Sequence, residues 1–110
     1  MNIELKNQKC QACSGNTPKF DEKQITKNLS KLDKWLVNDE QKMIYKKFEF
    51  KTFKQALNFI NKVGEVADLE GHHPDISFGW GYSLVMLHTH AIQGLSINDF
   101  ILAAKIDEIT

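Results

Sequence analysis

Apolar residues recur along much of the chain at the spacing of about 3.6 that is typical of amphipathic helices. Three such segments begin after Asp21, Thr52 and Ser96, residue types that commonly cap a helix. The first continues to about Leu32, and the second ends before Gly71, a residue suited to terminating a helix. The second and third also carry an amide or acidic side chain three residues after the cap, in the pattern of a capping box. The side chains predicted to face the core are Ile25, Leu29, Leu32, Phe53, Ala56, Leu57, Ile60, Val63, Gly64, Ala67, Ile97, Phe100, Ile101 and Ala104.

The segments between these helices alternate apolar and polar residues with the period of two that indicates β-strands. The predicted strands are residues 35–37, 43–50, 76–80 and 82–90, the last two joined at Gly81. The predicted order is therefore α-β-β-α-β-β-α. Hairpins joined by helices predict an α+β fold, a four-stranded antiparallel sheet with helices packed on one face.

Length and charge limit the classes of function. The chain has 110 residues, which we divide into a polar leader, residues 1–20, and a single domain, residues 21–110. It carries 14 basic and 14 acidic residues, and a formal net charge of zero argues against direct nucleic-acid binding. No apolar run resembles a signal peptide or a membrane span, so we expect no membrane association and a cytoplasmic location.

The two cysteines, Cys10 and Cys13, lie in the leader as Cys-Gln-Ala-Cys. A zinc site needs about four ligands, and this pair provides two of them. A thioredoxin-like motif belongs between a strand and a helix, which the polar leader does not provide. We therefore expect two reduced thiols that face the solvent, with metal capture or redox sensing as the alternatives.

The chemistry is expected where the histidines are concentrated. All four lie between positions 72 and 90. Because its unperturbed pKa is about 6.5, histidine both donates and accepts protons near neutral pH. Pro74 disfavours helical backbone at His73, so His72 and His73 are expected on an extended turn with diverging side chains. His90 is expected at the end of the fourth strand, with His88 on the same face.

These histidine segments resemble the signature of the pterin-4a-carbinolamine dehydratases. The matching blocks are Glu-Gly-His-His-Pro-Asp-Ile at 70–76 and Thr89-His90 followed by Gly94-Leu95-Ser96 and Asp99. The resemblance extends from about residue 20 to the end of the chain, and the leader with its cysteine pair is similar to bacterial members. The two blocks are specific in combination, whereas either one alone is weak.

The resemblance implies the α+β fold, a homodimer or homotetramer, and neither metal nor cofactor, because the pterin is the substrate. The implied reaction eliminates water from a 4a-hydroxytetrahydropterin to give a quinonoid dihydropterin, in pterin recycling for an aromatic amino acid hydroxylase. Hydroxide leaves poorly because the pKa of water is about 15.7. A general acid that protonates the departing oxygen and a base that takes a ring N–H proton therefore accelerate the reaction.

By position, the resemblance implies that His72 and His90 are the acid–base residues and that His73 holds the pterin. Asp68, one helical turn before the histidine pair, matches a carboxylate that could orient an imidazole, and Glu70 is a second candidate.

Three further positions complete the expected site. Pro74 and Thr89 are expected to contribute to the substrate site by shaping the backbone around the histidines. Asp99 is expected to act as a carboxylate at a helix N-terminus, where the helix dipole stabilises it.

Two other functions are compatible with the residues. One is a zinc site, because His88 and His90 lie on the same strand face and His72 or Asp68 could add a third ligand. The other is an interaction protein, because animal members of the similar family also bind a dimeric transcription factor. Loss of activity on chelation would favour the first, and capture of a partner by a triple histidine variant would favour the second.

Overall fold

The chain folds in the order that the sequence predicts, in a computed structural model that describes residues 4–109. Residues 1–3 of the predicted leader and residue 110 of the predicted domain lie outside the described residues. The elements are α1 (Glu22–Leu29), β1 (Leu36–Val37), β2 (Ile44–Glu49), α2 (Phe53–Glu70), β3 (Asp75–Gly79), β4 (Tyr82–Leu87) and α3 (Ile97–Asp107). Short 3-10 turns form at Leu5–Asn7 and His90–Ile92. Among the described helices, none is both long enough and apolar enough to cross a membrane.

The first helix begins as predicted but ends early. The Asp21 carboxylate accepts the Gln24 backbone N–H at 2.8 Å, and the Gln24 side chain accepts the Asp21 N–H at 2.9 Å. The helix ends at Leu29, three residues before the predicted limit. The following turn tightens, because the Leu32 N–H bonds to the carbonyl only three residues back. Lys34 then adopts a φ of 64°, which redirects the chain into β1.

The second helix has the predicted ends, and its buried face is narrower than predicted. Thr52 accepts the Gln55 N–H at 3.1 Å, whereas the Gln55 side chain accepts from Lys51, so the predicted reciprocal box does not close. Phe53 and Leu57 were expected in the core but are 47% and 37% exposed. Ala56, Val63 and Ala67 are buried as predicted. The helix orientation turns Phe53, Leu57 and also Gly64 toward the solvent. The buried set is Ala56, Phe59, Val63 and Ala67.

The four strands form one antiparallel sheet in the order β1-β2-β4-β3. Phe48 pairs with Ser83, and Ser83 pairs with Phe78, so these three side chains share a face. The helices pack on this inner face, with α2 contacting β3 and β4, which confirms the predicted α+β fold. Ile44, Val85 and Leu87 complete the buried part of the sheet.

The end of β4 differs from the prediction in a way that affects the site. The strand ends at Leu87, and His90 begins a 3-10 turn instead of closing the strand. The reason is a tight loop, in which the Thr89 N–H donates to the Gly94 carbonyl at 2.8 Å. This loop brings the chain directly from β4 to the start of α3.

The leader packs onto the domain through two buried side chains. Leu5 and Cys10 are buried in the main hydrophobic core. The expectation of two solvent-facing thiols is therefore wrong for Cys10, which is buried, and confirmed for Cys13, which is exposed and free. Burial raises the pKa of the Cys10 thiol to about 12, and the negative charge of Glu70 adds to the shift.

Candidate active site

The histidine pair lies on the turn that follows α2. Gly71 ends the helix in the left-handed conformation, with a φ of 68° that favours glycine. Pro74 then starts the extended segment that leads into β3. The two side chains diverge as expected, since His72 is buried and His73 is exposed.

A buried hydrogen-bond network holds His72. Its Nε2 atom lies 2.6 Å from Oδ1 of Asp99. The other Asp99 oxygen, Oδ2, accepts from the Thr89 hydroxyl at 2.8 Å and from the Ser96 backbone N–H at 3.0 Å. The hydroxyls of Thr89 and Ser96 also bond to each other at 2.8 Å. Because a carboxylate accepts hydrogen bonds, we assign the ring proton of His72 to Nε2, which leaves Nδ1 as the nitrogen that Asp99 does not contact.

Asp99 therefore has a contact that the sequence reasoning did not predict. The expected function as a helix N-terminal carboxylate is present, since Asp99 closes the capping box of α3 with Ser96. The same carboxylate also binds His72 and is fully buried. The sequence marked Asp99 only as part of the second block of the resemblance, and no local pattern indicates its contact with His72, 27 residues away.

The leader reaches the other side of His72. Cys13 Sγ lies 3.7 Å from Nδ1 of His72 and accepts from the Asn98 side-chain amide at 3.1 Å. Asn98 also donates to the Gln11 carbonyl at 2.7 Å and accepts the Gln11 N–H at 3.0 Å. The start of α3 thus fixes the cysteine segment against the imidazole, a contact over 59 residues of sequence that no local pattern indicates.

The second histidine of the pair has its own carboxylate. His73 Nε2 lies 2.9 Å from Oδ1 of Asp68, and both side chains are exposed. This is the imidazole partner proposed for Asp68.

Glu70, the other carboxylate considered for an imidazole, has different partners. It accepts the Cys10 N–H at 2.9 Å and pairs with Lys105 at 2.7 Å. Burial alone would raise the pKa of Glu70, but the hydrogen bonds from Lys105 and the Cys10 N–H outweigh it and lower the pKa. Glu70 therefore anchors the leader to α2 and α3.

His90 lines a hollow of about 290 Å³ beside the 3-10 turn that it begins. The lining residues are Lys42, Met43, His88, His90, Gln93 and Gly94. This volume is near the lower end of the range for small-molecule sites. A hollow of about 420 Å³ lies elsewhere, among the first 3-10 turn and the ends of α1 and α3, and its charged lining contains no part of the histidine network.

The predicted site residues fall into a buried network around His72, an exposed pair at His73, and the hollow at His90, which neither His72 nor His73 lines. Thr89 joins the buried network to His90 through a single peptide bond, so the ends of α2 and β4 meet at the start of α3. His73 and Asp68 form an exposed pair beside this network. The arrangement can orient an imidazole, exchange protons at His72 and His90, and admit a small ligand at the surface.

Comparisons with known proteins identify what the chain is similar to. A model of the family described as pterin 4 alpha carbinolamine dehydratase matches residues 18–109. A relative from Halorhodospira halophila, provisionally named a pterin-4-alpha-carbinolamine dehydratase, is 43% identical over 97% of this chain and 98% of its own length. A Rickettsia bellii protein with the same provisional name is 46% identical over 94% of this chain and 91% of its own length. A solved structure from Brucella melitensis, described as a transcriptional coactivator/pterin dehydratase, has a TM-score of 0.80 and 28% identity over 84% of this chain and 98% of that chain.

Proposed function

Because this chain belongs to the pterin-4-alpha-carbinolamine dehydratase family, we propose that it eliminates water from a 4a-hydroxytetrahydropterin to give a quinonoid dihydropterin. The observation that best supports the proposal is the buried contact between His72 and Asp99. Asp99 also accepts a hydrogen bond from Thr89, the residue that precedes His90. These contacts support a site with two imidazoles, one of them held rigidly by a carboxylate.

In the proposed reaction, one imidazolium protonates the 4a-hydroxyl, and the C4a–O bond breaks as water leaves. The other imidazole takes a ring N–H proton, and the released electron pair forms the new C=N bond. His72 and His90 provide the two imidazoles, and His72 exchanges its proton at Nδ1. Each proton transfer of this kind contributes about 10²–10⁴-fold.

Substrate binding is proposed for the residues around these two histidines. His73, supported by Asp68, presents an imidazole at the surface that can bond to the polar edge of a pterin. Pro74 fixes the turn that carries both histidines. Thr89 bonds to Asp99 and immediately precedes His90, so it links the two proposed acid–base residues.

The biological setting follows from the proposed substrate. We propose that the pterin is supplied by an aromatic amino acid hydroxylase, that the reaction takes place in the cytoplasm, and that no cofactor is required. We also propose a homodimer or homotetramer. The support for an oligomer is a set of large apolar side chains exposed on the single chain, Leu36, Phe53, Leu57, Leu69 and Trp80. Analytical ultracentrifugation would test it, with a monomer at micromolar concentration as the contradicting result.

The dehydratase proposal is tested by following the decay of a 4a-hydroxytetrahydropterin by ultraviolet stopped-flow, with and without the protein. The wild-type protein should accelerate the decay. A His72→Gln, His90→Gln double variant that keeps the wild-type circular dichroism spectrum should lose the acceleration, because both proton-transfer groups are removed. Equal acceleration by the double variant would contradict the assigned roles, and no acceleration by the wild type would contradict the function.

A further inference from the structure

A second cluster of side chains lies where β3 and β4 adjoin, on the sheet face opposite the helices. Asp75 begins β3 and pairs with Met86, so the two side chains share a face. His88 follows Met86 by two residues and bonds through Nε2 to Oδ2 of Asp75 at 3.0 Å. The His90 ring packs edge-on against His88, with ring centroids 4.1 Å apart.

These three side chains can provide three of the four ligands of a tetrahedral zinc ion. One ligand atom from each of Asp75, His88 and His90 lies within 4.8 Å of the other two. Around a tetrahedral zinc ion, ligand atoms are about 3.3 Å apart, since Zn–N and Zn–O bonds are about 2.0–2.2 Å. Asp75 and His90 are exposed, so small side-chain rotations can close the remaining distance without moving the backbone.

The chemistry of the donors selects the class of ion. Two imidazoles and one carboxylate favour late first-row divalent ions over Mg²⁺ and Ca²⁺, which prefer oxygen ligands. His90 also lines the hollow beside the 3-10 turn, which leaves room for a fourth, non-protein ligand. The positive charge of Lys42 at this hollow is partly balanced by Glu40, 3.7 Å away.

We propose that Asp75, His88 and His90 bind a divalent ion such as Zn²⁺ and that the bound ion inhibits the enzyme. The inhibition rests on the proposed function of His90, because a nitrogen bound to a metal cannot exchange a proton with a pterin. Asp75 is the third ligand in this site, in place of His72 or Asp68, the two candidates that the sequence indicated. His72 bonds to Asp99 in the buried network, and Asp68 bonds to His73.

Calorimetric titration of metal-stripped protein with ZnCl₂ tests the site independently of activity. The wild type should bind one equivalent, and Asp75→Asn and His88→Asn should each bind at least about tenfold more weakly, because each loses a ligand. Two control variants should bind zinc like the wild type. His73→Asn removes another histidine that pairs with an exposed aspartate. Asp33→Asn makes the same change of charge as Asp75→Asn. Undiminished binding by both Asp75→Asn and His88→Asn would overturn the site.

Two further measurements separate this site from its alternatives. Cys13→Ser should bind zinc normally. If this variant loses binding while His88→Asn binds normally, the ion lies at the Cys13–His72 contact, and the proposal is overturned. In the stopped-flow assay, zinc should inhibit the wild type, and Asp75→Asn should have normal metal-free activity and need about tenfold more zinc. Zinc binding without inhibition would overturn the regulatory part. An inactive metal-free wild type would instead overturn the dehydratase function and leave the calorimetric result intact.

Discussion

The structure contains two histidine–aspartate pairs that start from adjacent residues and differ mainly in their surroundings. The His72–Asp99 distance is 2.6 Å, and the side chains are 7% and 0% exposed. The His73–Asp68 distance is 2.9 Å, and the side chains are 63% and 81% exposed. Because the two contacts are alike in residue type and distance, a difference between the effects of mutating them can be attributed to burial.

Burial changes what each carboxylate can do. Asp99 is removed from water and accepts hydrogen bonds from His72, Thr89 and Ser96, so it fixes both the position and the tautomer of the imidazole. Asp68 competes with water for His73, and exposed pairs contribute about 0–1 kcal/mol to stability. The inner pair is therefore suited to orient an acid–base group, and the outer pair to adjust to a ligand.

The largest effect is expected when the buried pair is broken by Asp99→Asn. The carboxamide has one acceptor oxygen for three donors and presents an N–H₂ group to one of them. We expect kcat to fall about 10²–10⁴-fold, because His72 loses its orientation and tautomer. We also expect the free energy of unfolding to fall by about 1–3 kcal/mol, measured by urea denaturation.

A matched variant separates orientation of His72 from general support of the fold. Thr89→Val removes one donor to Asp99 and leaves the His72 contact intact, so kcat should fall less than in Asp99→Asn at a similar loss of stability. The pH profile of kcat should change in Asp99→Asn and be retained in Thr89→Val. Equal losses of kcat with unchanged profiles would show that Asp99 supports the fold alone.

The next effect concerns the side of His72 that Asp99 does not cover. Cys13 Sγ lies 3.7 Å from Nδ1, so a carboxamidomethyl group on this sulfur would obstruct proton exchange. We expect iodoacetamide at pH 8 to lower kcat at least about tenfold. Cys10 is buried with a pKa of about 12, so only about one part in 10⁴ is thiolate at this pH.

Mass spectrometry should therefore find a single label on the native protein, at Cys13. Cys13→Ser is the control and should retain its activity after the same treatment. Inactivation of this variant, or labelling of native protein at Cys10, would contradict the assignment.

The sequence predicted the element order and the sheet because local signals coincided with tertiary structure. Asp21, Thr52, Ser96 and Gly71 mark helix ends through contacts within a few residues, and alternation marks the strands. The histidine turn was also predictable, because Pro74 restricts the backbone of His73 directly. These features require knowledge of only a few neighbouring residues.

The partners within the site could not be predicted in the same way. Asp99 is 27 residues from His72, and Cys13 is 59 residues from it, so only tertiary packing brings them together. The choice between Asp68 and Glu70 as a histidine partner depended on the direction of each side chain at the end of α2. Glu70 points toward the leader because Lys105 and the Cys10 N–H provide its partners there.

A smaller effect is expected from Glu70→Gln. This variant tests the Glu70–Lys105 ion pair, whose burial lies between that of the His72–Asp99 pair and that of the His73–Asp68 pair. The pKa of Glu70 is lowered in the folded state from its ordinary value of 4.5. The carboxylate therefore stabilises the fold above about pH 4.5, and this contribution is lost as the pH falls through the folded-state pKa. The variant should be about 1 kcal/mol less stable at pH 7, and the difference should shrink below pH 4.5. A difference independent of pH would show that the charge of Glu70 is not its source.

The smallest effect is expected from Asp68→Asn, which completes the comparison at the exposed pair. The free energy of unfolding should change by less than about 1 kcal/mol, because water replaces the lost contact on both side chains. The effect on catalysis should appear mainly as a rise in KM with little change in kcat, since His73 is proposed to hold the pterin. Raising the salt concentration should reduce the difference from the wild type, because an exposed pair is screened whereas the buried pair is not. A loss of kcat as large as that of Asp99→Asn would show that the pair is enclosed during the reaction, and burial in the free protein would then no longer distinguish the two carboxylates.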